Sequence, residues 1–504
     1  MLQHEPCRAA LVRRREKRGF SPVRGCASQM PRDRNVIGAP GSGAVSPQNG
    51  FAWQALAARE RVLVIPRFGV TLLPSMKTDP SLPETVDIEA IAPGGDGVAR
   101  LADGQTVFVA ATAPGDRIRL AALRRQQGVL FGEQFELIAQ GPDRVVPPCP
   151  YAQACGGCDF MHLSRVAQLR EKQRILEDTL TRIGRVKLPM PAIRTVQAPN
   201  DLAYRSRLRL HVDKVGNVGY EAARSNRLIP IERCLVALPR LNIVLQALFQ
   251  LDEAGKRKLS FCEEIELRET DIAPFVSVRL IARKGKTLKA EVYAPLFPVD
   301  SLVVIADSTE DKQLCQSVQI TDDVTLEVPI GSFSQVHRDI NRDLVKAVVA
   351  GATLRHHKSF LDAYAGAGNF ALPLLKAGLI GEAVDQGQAG ILAARRVARD
   401  LGLPFAGFSI GDAKRVLELF VKNKRQFDYV VLDPPRKGAK IVLPLVLKLK
   451  PRTIALVGCD PVSLSRDLGE LTALGSTVES ITMFDMFPQT HHSETLAILD
   501  TGSH

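Results

Sequence analysis

The sequence predicts an α/β protein. Its C-terminal part reads as a Rossmann-like, doubly wound parallel sheet, preceded by a small OB-like β-barrel and a cysteine-bearing α+β region. Three observations carry this. From Asp322 onward, strand-like apolar runs alternate with helical stretches of about ten to fifteen residues. Between Glu84 and Leu137, short alternating runs are separated by Gly-rich turns. Between these two stretches, Cys149, Cys155 and Cys158 fall close together.

A chain of 504 residues is too long for one core and divides at roughly 150 residues per domain. The expected parts are a basic extension (residues 1–75), the barrel (76–142), the central cysteine-bearing region (143–320) and the Rossmann-like domain (321–504). Apolar content of 45% and charged content of 24% describe an ordinary globular protein. No apolar run reaches the roughly 18 residues of a membrane helix, so no membrane partner is expected. The net charge of +12 is concentrated at the N-terminus, where residues 1–75 hold 12 Lys and Arg against 4 Asp and Glu. Bulk charge is therefore weak evidence for nucleic-acid binding, and local patches have to supply it. Nine cysteines without a secretory leader point to a reducing, cytoplasmic setting, where clustered thiols mean metal or catalysis rather than disulfides.

Residues 1–75 carry a basic run at Arg13, Arg14, Arg15, Lys17 and Arg18 and a Gly/Pro/Ser-rich stretch from Gly38 to Gly50. An organellar transit peptide has this composition, but a spacer ahead of a functional start at Met76 is the expected reading. The barrel segment follows, with TVDIEAIA, PGGDG, VARLADGQTVFVAA and PGDRIRLAAL as its strands and turns. Next comes a C-x5-C-x2-C array, Cys149, Cys155 and Cys158, with Gly156 and Gly157 letting the backbone fold tightly. Cys234, in IERC, is the nearest fourth thiol downstream. Four thiolates suit tetrahedral zinc or an iron–sulfur cluster, and spacing alone does not separate these.

Leu163 to Val186 reads as a helix with Leu169, Ile175, Leu180 and Ile183 as its apolar stripe. In YRSRLRLHV, Arg205, Arg207 and Arg209 alternate with Leu208, Leu210 and Val212, giving an arginine face that can grip successive phosphates. The strands of the C-terminal sheet are SFLDA, GEAVD, FAGFSIGD, DYVVLDPP and TIALVGCD, closed by STVESITMF and ETLAILDT.

The ends of these strands carry the chemistry. After the first comes DAYAGAGNF, in which Gly366 and Gly368 let a ligand approach the backbone, and Asp385 ends the second strand, where it can accept from ribose hydroxyls. The lack of G-x-G-x-x-G favours an adenosine-bearing ligand without a pyrophosphate. Asp433-Pro434-Pro435-Arg436-Lys437-Gly438 ends the fourth strand as a rigid loop. Methyltransferases acting on base nitrogens carry an aromatic residue where Arg436 stands, which argues against amino-group methylation. TIALVGCDP places Cys459 between a buried strand and a helix start.

From about Glu84 onward the chain resembles the RNA uracil-5-methyltransferases, in the branch that has a TRAM barrel and a four-cysteine 4Fe–4S site and modifies 23S ribosomal RNA. The resemblance rests on CGGC with Cys149, YRSRLRL, IERC, FSQV, DAYAGAGNF, LDPPRKG, GCDP and MFPQTHHSE, in family order. It implies a class I methyltransferase domain, S-adenosylmethionine as methyl donor, a 4Fe–4S cluster (zinc being the alternative) on Cys149, Cys155, Cys158 and Cys234, and RNA, expected to be 23S rRNA, as partner. No obligate protein partner is evident. It further implies Cys459 as nucleophile, Glu494 as general base, and S-adenosylmethionine contacts at Gln335, Tyr364, Asn369, Asp385, Asp412 and Asp433, alongside Gly366 and Gly368. Transfer RNA or cytosine as target, or a decayed binding protein, are the alternatives. The chain departs from the family at Gly458, Asp460, Ala365, His337 and Asp385. A carboxylate at Asp460 is expected to raise the Cys459 pKa, with Arg436 or Lys437 offsetting it. A chain truncated to begin at Met76 should keep its melting temperature and activity; loss of either would show that the extension belongs to the working protein.

Overall fold

In the computed structural model the residues from Ser75 to His504 form one compact unit. The described residues are 84–502 except 153, 187–189, 272–274, 309–313 and 405. The readings made of residues 1–75, and of Met76, lie outside them.

Strands β1 (Glu84–Asp87), β2 (Ala90–Ile91), β3 (Gly97–Arg100), β4 (Thr106–Val109), β5 (Arg117–Gln126) and β6 (Val129–Ala139) form a six-stranded sheet in the order β1-β5-β6-β4-β3-β2. Alternation sets its faces: Ile118 and Leu120 are buried with Val107 and Val109, while Arg117 and Arg119 are exposed. Register shifts around Leu120 and Ala122 bend β5 against β6.

The helix Arg165–Arg182 follows, capped by the Ser164 hydroxyl, which accepts from the Ala167 N–H at 3.3 Å. Its buried face keeps Ile175 and Leu180 of the stripe read from the sequence but is otherwise different. Gln168, Glu171, Lys172 and Thr179 are buried beside Ile175, Leu176 and Leu180, and Ile183 is exposed. The reason is the surface it meets. Lys172 Nζ lies 2.8 Å from Asp485 Oδ1 with both side chains wholly buried, Arg165 also pairs with Asp485, and Lys172 donates to the Phe487 carbonyl at 2.9 Å. Gln168 exchanges two 2.9 Å hydrogen bonds with Gln489.

Strand β7 (Ile193–Val196) leaves this region to join the C-terminal sheet. Strands β8 (Arg207–Val212), β9 (Val218–Glu221), β10 (Leu228–Pro230), β11 (Cys262–Glu269), β12 (Val276–Ala282) and β13 (Ser301–Ile305) form a second six-stranded sheet, ordered β10-β9-β8-β11-β12-β13. Antiparallel pairing sets Arg207 against Arg268 and Arg209 against Glu266. The expected arginine face is therefore largely neutralised: Arg207 pairs with Glu266 at 2.8 Å and Arg209 with Glu264 at 2.6 Å. The partners arrive on a strand more than fifty residues away, which alternation within one strand cannot report. A hairpin of β14 (Cys315–Gln319) and β15 (Thr325–Pro329) follows.

The last sheet contains β16 (Ser359–Asp362), β17 (Ile380–Asp385), β18 (Ala406–Ile410), β19 (Tyr429–Leu432), β20 (Thr453–Gly458), β21 (Thr477–Phe484) and β22 (Glu494–Asp500). Its order is β18-β17-β16-β19-β20-β22-β21-β7, with the first five strands parallel and β22 antiparallel to both neighbours. The central strands β19 and β20 are apolar along their length because both faces are covered. Tyr429, Val431, Ala455, Val457, Leu496 and Ile498 enter one core, and Val430, Leu432, Ile454, Leu456, Ala497 and Leu499 enter the other. The expected doubly wound sheet with its terminal hairpin is present, and β7 extends its edge.

Removing one member of a buried ion pair leaves the other charge uncompensated. Asp485→Leu, which leaves both Lys172 and Arg165 without their carboxylate, should therefore lower the unfolding free energy by about 3 kcal/mol, measured by denaturant titration; a change within the range of ordinary surface substitutions would show that the pairing is not what staples this helix.

Candidate active site

Four strand ends lie side by side on the C-terminal edge of the parallel strands. Asp362 ends β16, Asp433 follows β19, Cys459 follows β20, and Glu494 opens β22. In the antiparallel ladder Val457 faces Leu496 and Gly458 faces Thr495. One further step of that register sets Cys459 opposite Glu494. On its other side Glu494 pairs with Phe484.

The electrostatics are dominated by burial and by like charge. Asp362 is 0% exposed, and burial, then Asp433 and Asp385, push its carboxyl up to about 8; Oδ2 accepts from the Ala371 N–H at 3.1 Å while Oδ1 has no partner. Burial pushes Asp433 up to about 7. Glu494, 1% exposed with Oε1 unpartnered, is raised well above the ordinary carboxylate range by burial and by Asp433, against the pull of Arg436. The Cys459 thiol is pushed up to about 11 by burial, then by Glu494 and Asp433, while Arg436 lowers it through its charge and a side-chain hydrogen bond.

Asp460 does not play the part expected from its neighbourhood. It is the N-cap of the helix Pro461–Ala473, and its Oδ1 accepts from the Ser463 N–H at 2.7 Å. Its charge is spent on the helix start, and the carboxylates that raise Cys459 are Glu494 and Asp433. Of the two cations proposed to offset the charge, Arg436 acts on the thiol. The loop that presents Arg436 is fixed by a residue the sequence reading missed. Asp467, on the same helix, is buried and accepts from the Ala439 N–H at 2.6 Å. A side chain at Gly438 would collide with it, and Gly438 has φ +86°.

Beside this group the glycine loop turns over the end of β16, with Gly366 and Gly368 at φ +55° and +92°. Asp385 braces it: its carboxylate accepts from the Gly366 N–H at 3.0 Å and from the Gly387 N–H at 2.7 Å. Asn369 exchanges amide hydrogen bonds of 2.9 and 3.0 Å with Asn341, on the helix Arg338–Thr353. Gln335 lies just ahead of that helix, half-buried. Tyr364 is half-buried against the second core, and Asp412 caps the helix Ala413–Lys422 through the Arg415 N–H at 3.2 Å. Most residues expected to contact S-adenosylmethionine thus lie on the strand-end loops, while Gln335 is on the segment ahead of the helix Arg338–Thr353.

The four cysteines are half-buried. Cys149, Cys158 and Cys234 pack around Met161, Tyr204 and Val236, and Cys155 bridges to Ala222. Burial raises Cys158 most, and Cys234, Cys155 and Cys149 raise it further. Burial likewise pushes Cys155 up to about 11, with Cys234 and Cys149 adding to it against the Gly157 N–H. Among the described residues, no three His, Cys, Asp or Glu side chains close into a metal-holding set.

A second missed feature is the loop between β21 and β22. Gln489 sits at φ +68°, its carbonyl accepts from the Phe160 N–H at 3.0 Å, and its side chain donates to Asp201 at 3.1 Å. Asp159 accepts from the His491 N–H at 2.9 Å and pairs with its ring. His492 is pushed down to about 4 by burial, then by His491 and Arg436. The loop that leads into Glu494 is thereby anchored to the residues that immediately follow Cys158. The motif MFPQTHHSE was the visible signal, but its partners lie some three hundred positions away.

With this geometry in view, known proteins give the same picture. The sequence profile of the tRNA (Uracil-5-)-methyltransferase family matches residues 412–501. The chain is 32% identical over 442 residues to the 23S rRNA (uracil(1939)-C(5))-methyltransferase RlmD of Chromohalobacter salexigens, covering 84% of this chain and 90% of that one. It is 30% identical over 426 residues to the protein of the same name from Shewanella sediminis, covering 82% and 95%. The fold is similar to that of Pyrococcus abyssi tRNA (uracil-54, C5)-methyltransferase in complex with S-adenosyl-L-homocysteine, with a TM-score of 0.65 and 24% identity over 82% of this chain and 100% of that one. Given relatives this similar over most of its length, the chain belongs to the RNA uracil-5-methyltransferase family.

Proposed function

We propose that the chain methylates carbon 5 of a uridine in 23S ribosomal RNA through a covalent adduct on Cys459, with Glu494 as base. The observation that carries this is the end of the ladder at Gly458 and Thr495, next to which stand the Cys459 thiol and the buried Glu494, whose Oε1 has no partner, with Arg436 acting electrostatically on both. Carbon 5 of uracil is a poor nucleophile, and a thiol–carboxylate pair answers that difficulty. Cys459, as the thiolate, forms a bond to carbon 6, and the electron pair of the C5–C6 double bond moves onto the carbonyl at carbon 4. Arg436 favours the thiolate that starts this step. When bound, S-adenosylmethionine supplies the methyl group as an electrophile, which carbon 5 takes up. Glu494 in its ionised form then removes the carbon 5 proton; the double bond re-forms and the carbon–sulfur bond breaks, returning Cys459 with its electron pair.

Gln335, Tyr364, Gly366, Gly368, Asn369, Asp385, Asp412 and Asp433 are assigned to the methyl donor. Their open backbone and carboxylates suit a ligand with ribose hydroxyls and a cationic centre. The sheet of β1–β6 is assigned as the TRAM barrel. Cys149, Cys155, Cys158 and Cys234 are assigned as ligands of a 4Fe–4S cluster, in keeping with Cys149, Cys158 and Cys234 packing on one apolar cluster and with the C-x5-C-x2-C spacing that brings Cys155 beside them. That group would supply a rigid core for the RNA-facing region. The same chemistry on transfer RNA is the second reading, favoured by the fold likeness to the Pyrococcus abyssi enzyme.

Two outcomes test the assignment. Incubation with 5-fluorouracil-substituted 23S rRNA and S-adenosylmethionine should yield a covalent complex stable in denaturing gels; it should be absent with Cys459→Ala, and Glu494→Gln should slow turnover on natural RNA by about 10³-fold. Continued methylation by Cys459→Ala would refute the nucleophile. The thiol's ionisation is tested separately. Below its pKa of about 11, the rate of Cys459 alkylation by iodoacetamide should rise about tenfold per pH unit. At fixed pH, Glu494→Gln should speed this alkylation by removing a charge that raises the pKa, and Arg436→Leu should slow it. The reverse order would refute the electrostatic account.

A further inference from the structure

Asn341 is a buried polar residue to which the reaction scheme gives no role. It lies near the start of the helix Arg338–Thr353 and is 4% exposed. Its amide N–H donates to Asn369 Oδ1 at 2.9 Å, and its own Oδ1 accepts from the Asn369 amide at 3.0 Å. The pair is reciprocal, so rotating either amide by half a turn would set donor against donor and acceptor against acceptor. Each side chain therefore fixes the orientation of the other. An amide holds two N–H donors and two acceptor lone pairs, and this exchange uses one of each. Asn369, half-buried at the end of the glycine loop, keeps one donor and one acceptor for a ligand.

What Asn341 brings to that loop is the position of another sheet. The start of its helix is tied to strands β8 and β11. Ser206, which precedes β8, donates to the Val336 carbonyl through its N–H at 2.9 Å and through its hydroxyl at 3.0 Å. Arg338 donates to the carbonyl of Glu269, the last residue of β11, at 2.8 Å, and pairs with Asp271 at 2.8 Å. Gln335 sits within this tied segment. At its first glycine the loop is held from elsewhere, by the Asp385 carboxylate on the Gly366 N–H at 3.0 Å. Asp385 thus braces one end of the loop from β17, and Asn341 braces the other from the helix whose start carries Gln335. Between the two braces, Gly366 and Gly368 adopt positive φ without side chains of their own to hold that shape.

We propose that Asn341 is a positioning residue for the methyl donor: through Asn369 it sets the gap between the glycine loop and Gln335, and it fixes which edge of the Asn369 amide is left for the ligand. That amide is uncharged, and its remaining donor and acceptor suit a molecule that presents both hydroxyls and a zwitterionic end. Packing does not require asparagine here. Ile340, Leu344, Val345 and Val348 seat the helix on the core that contains Phe370 and Ala371. A leucine at 341 is close to asparagine in size but leaves the Asn369 amide unmatched, and an unmatched buried group costs more than a hydrogen bond is worth. The proposal rests on the assignment of the glycine loop to S-adenosylmethionine, and it names the residue that holds the loop ready before the ligand arrives.

The experiment is a double-mutant cycle on the full chain, read by calorimetric titration with S-adenosyl-L-homocysteine. Asn341→Leu should weaken binding about tenfold, the value of one hydrogen-bonding group left unmatched, and Asn369→Leu at least as much. In the Asn369→Leu background, adding Asn341→Leu should cost less than about twofold, because Asn341 acts only through Asn369. Asn341→Asp, which keeps the shape and the acceptor but loses the donor, should also weaken binding and serves if the leucine variant does not fold. Hydrogen exchange of the ligand-free protein is the second readout: amides of residues 366–370 should exchange about tenfold faster in Asn341→Leu, while those of β19 and β20 keep their wild-type rates. The proposal is overturned if the two losses add in full, if Asn341→Leu binds like the wild type, or if exchange in the loop is unchanged. A wild type that does not bind S-adenosyl-L-homocysteine refutes the assignment of the loop and the proposal with it, whereas binding with additive losses refutes the proposal alone.

Discussion

The structure is organised by the cost of packing acids together at the edge of one sheet. Asp362 and Glu494 are buried and Asp433 half-buried at adjacent strand ends with the Cys459 thiol among them; burial raises every one of their pKa values, and like charge adds to it at Asp362, Glu494 and Cys459. Such a group is stable only with protons shared among its members or a cation fixed nearby. Arg436 is that cation for both Cys459 and Glu494. The two prolines ahead of it, the positive φ of Gly438 and the Asp467 carboxylate on the Ala439 N–H all serve to hold the guanidinium where it counts. The repulsion is also useful. Glu494 shares a field with a second carboxylate, and a base so placed gains a proton readily. The same field would silence the thiol if Arg436 did not oppose it.

Holding Glu494 in that field requires support from outside the sheet. The strand it opens is gripped by β20 and β21, but the loop leading into it crosses to the region that precedes the sheet in sequence. Lys172 and Arg165 meet Asp485, Gln168 meets Gln489, Asp159 meets His491, and Tyr204 meets the Pro488 carbonyl. Apart from Asp159 and His491, each partner is buried or nearly so, which makes these contacts costly to break and so keeps the loop in one conformation. The helix Arg165–Arg182 consequently buries a polar face, an arrangement that makes sense only with its loop in place.

Much of this was legible in the sequence, and the division follows the range of the interactions. The central strands of the parallel sheet are apolar on both faces and end in Gly, Pro or Asp, so their positions, the glycine loop and the neighbourhood of Cys459 could be read locally. What could not be read depends on distant partners. Gln168 and Lys172 look solvent-facing until Gln489 and Asp485 are known. The arginines of YRSRLRL look free for phosphate until Glu264 and Glu266 arrive on β11. Asp460 looks like a neighbour of Cys459 by number, yet its side chain turns to the helix it begins. β7 is a four-residue strand whose partner, β21, lies nearly three hundred residues on.

That last strand bears on how recognition and chemistry are joined. A module tethered by a linker samples many orientations, and catalysis would then pay an ordering cost at each encounter. Here the segment bearing the cysteines contributes both β7, on the edge of the catalytic sheet, and the side chains that pin the Glu494 loop. Residues Ser75–His504 accordingly form one compact unit. The distance between any surface that holds RNA and the thiol is set by the packing of the core itself. A half-buried thiol proposed to meet carbon 6 of one extruded base needs that fixed geometry, because the surroundings that raise its pKa leave little reactive thiolate to spend on misplaced encounters.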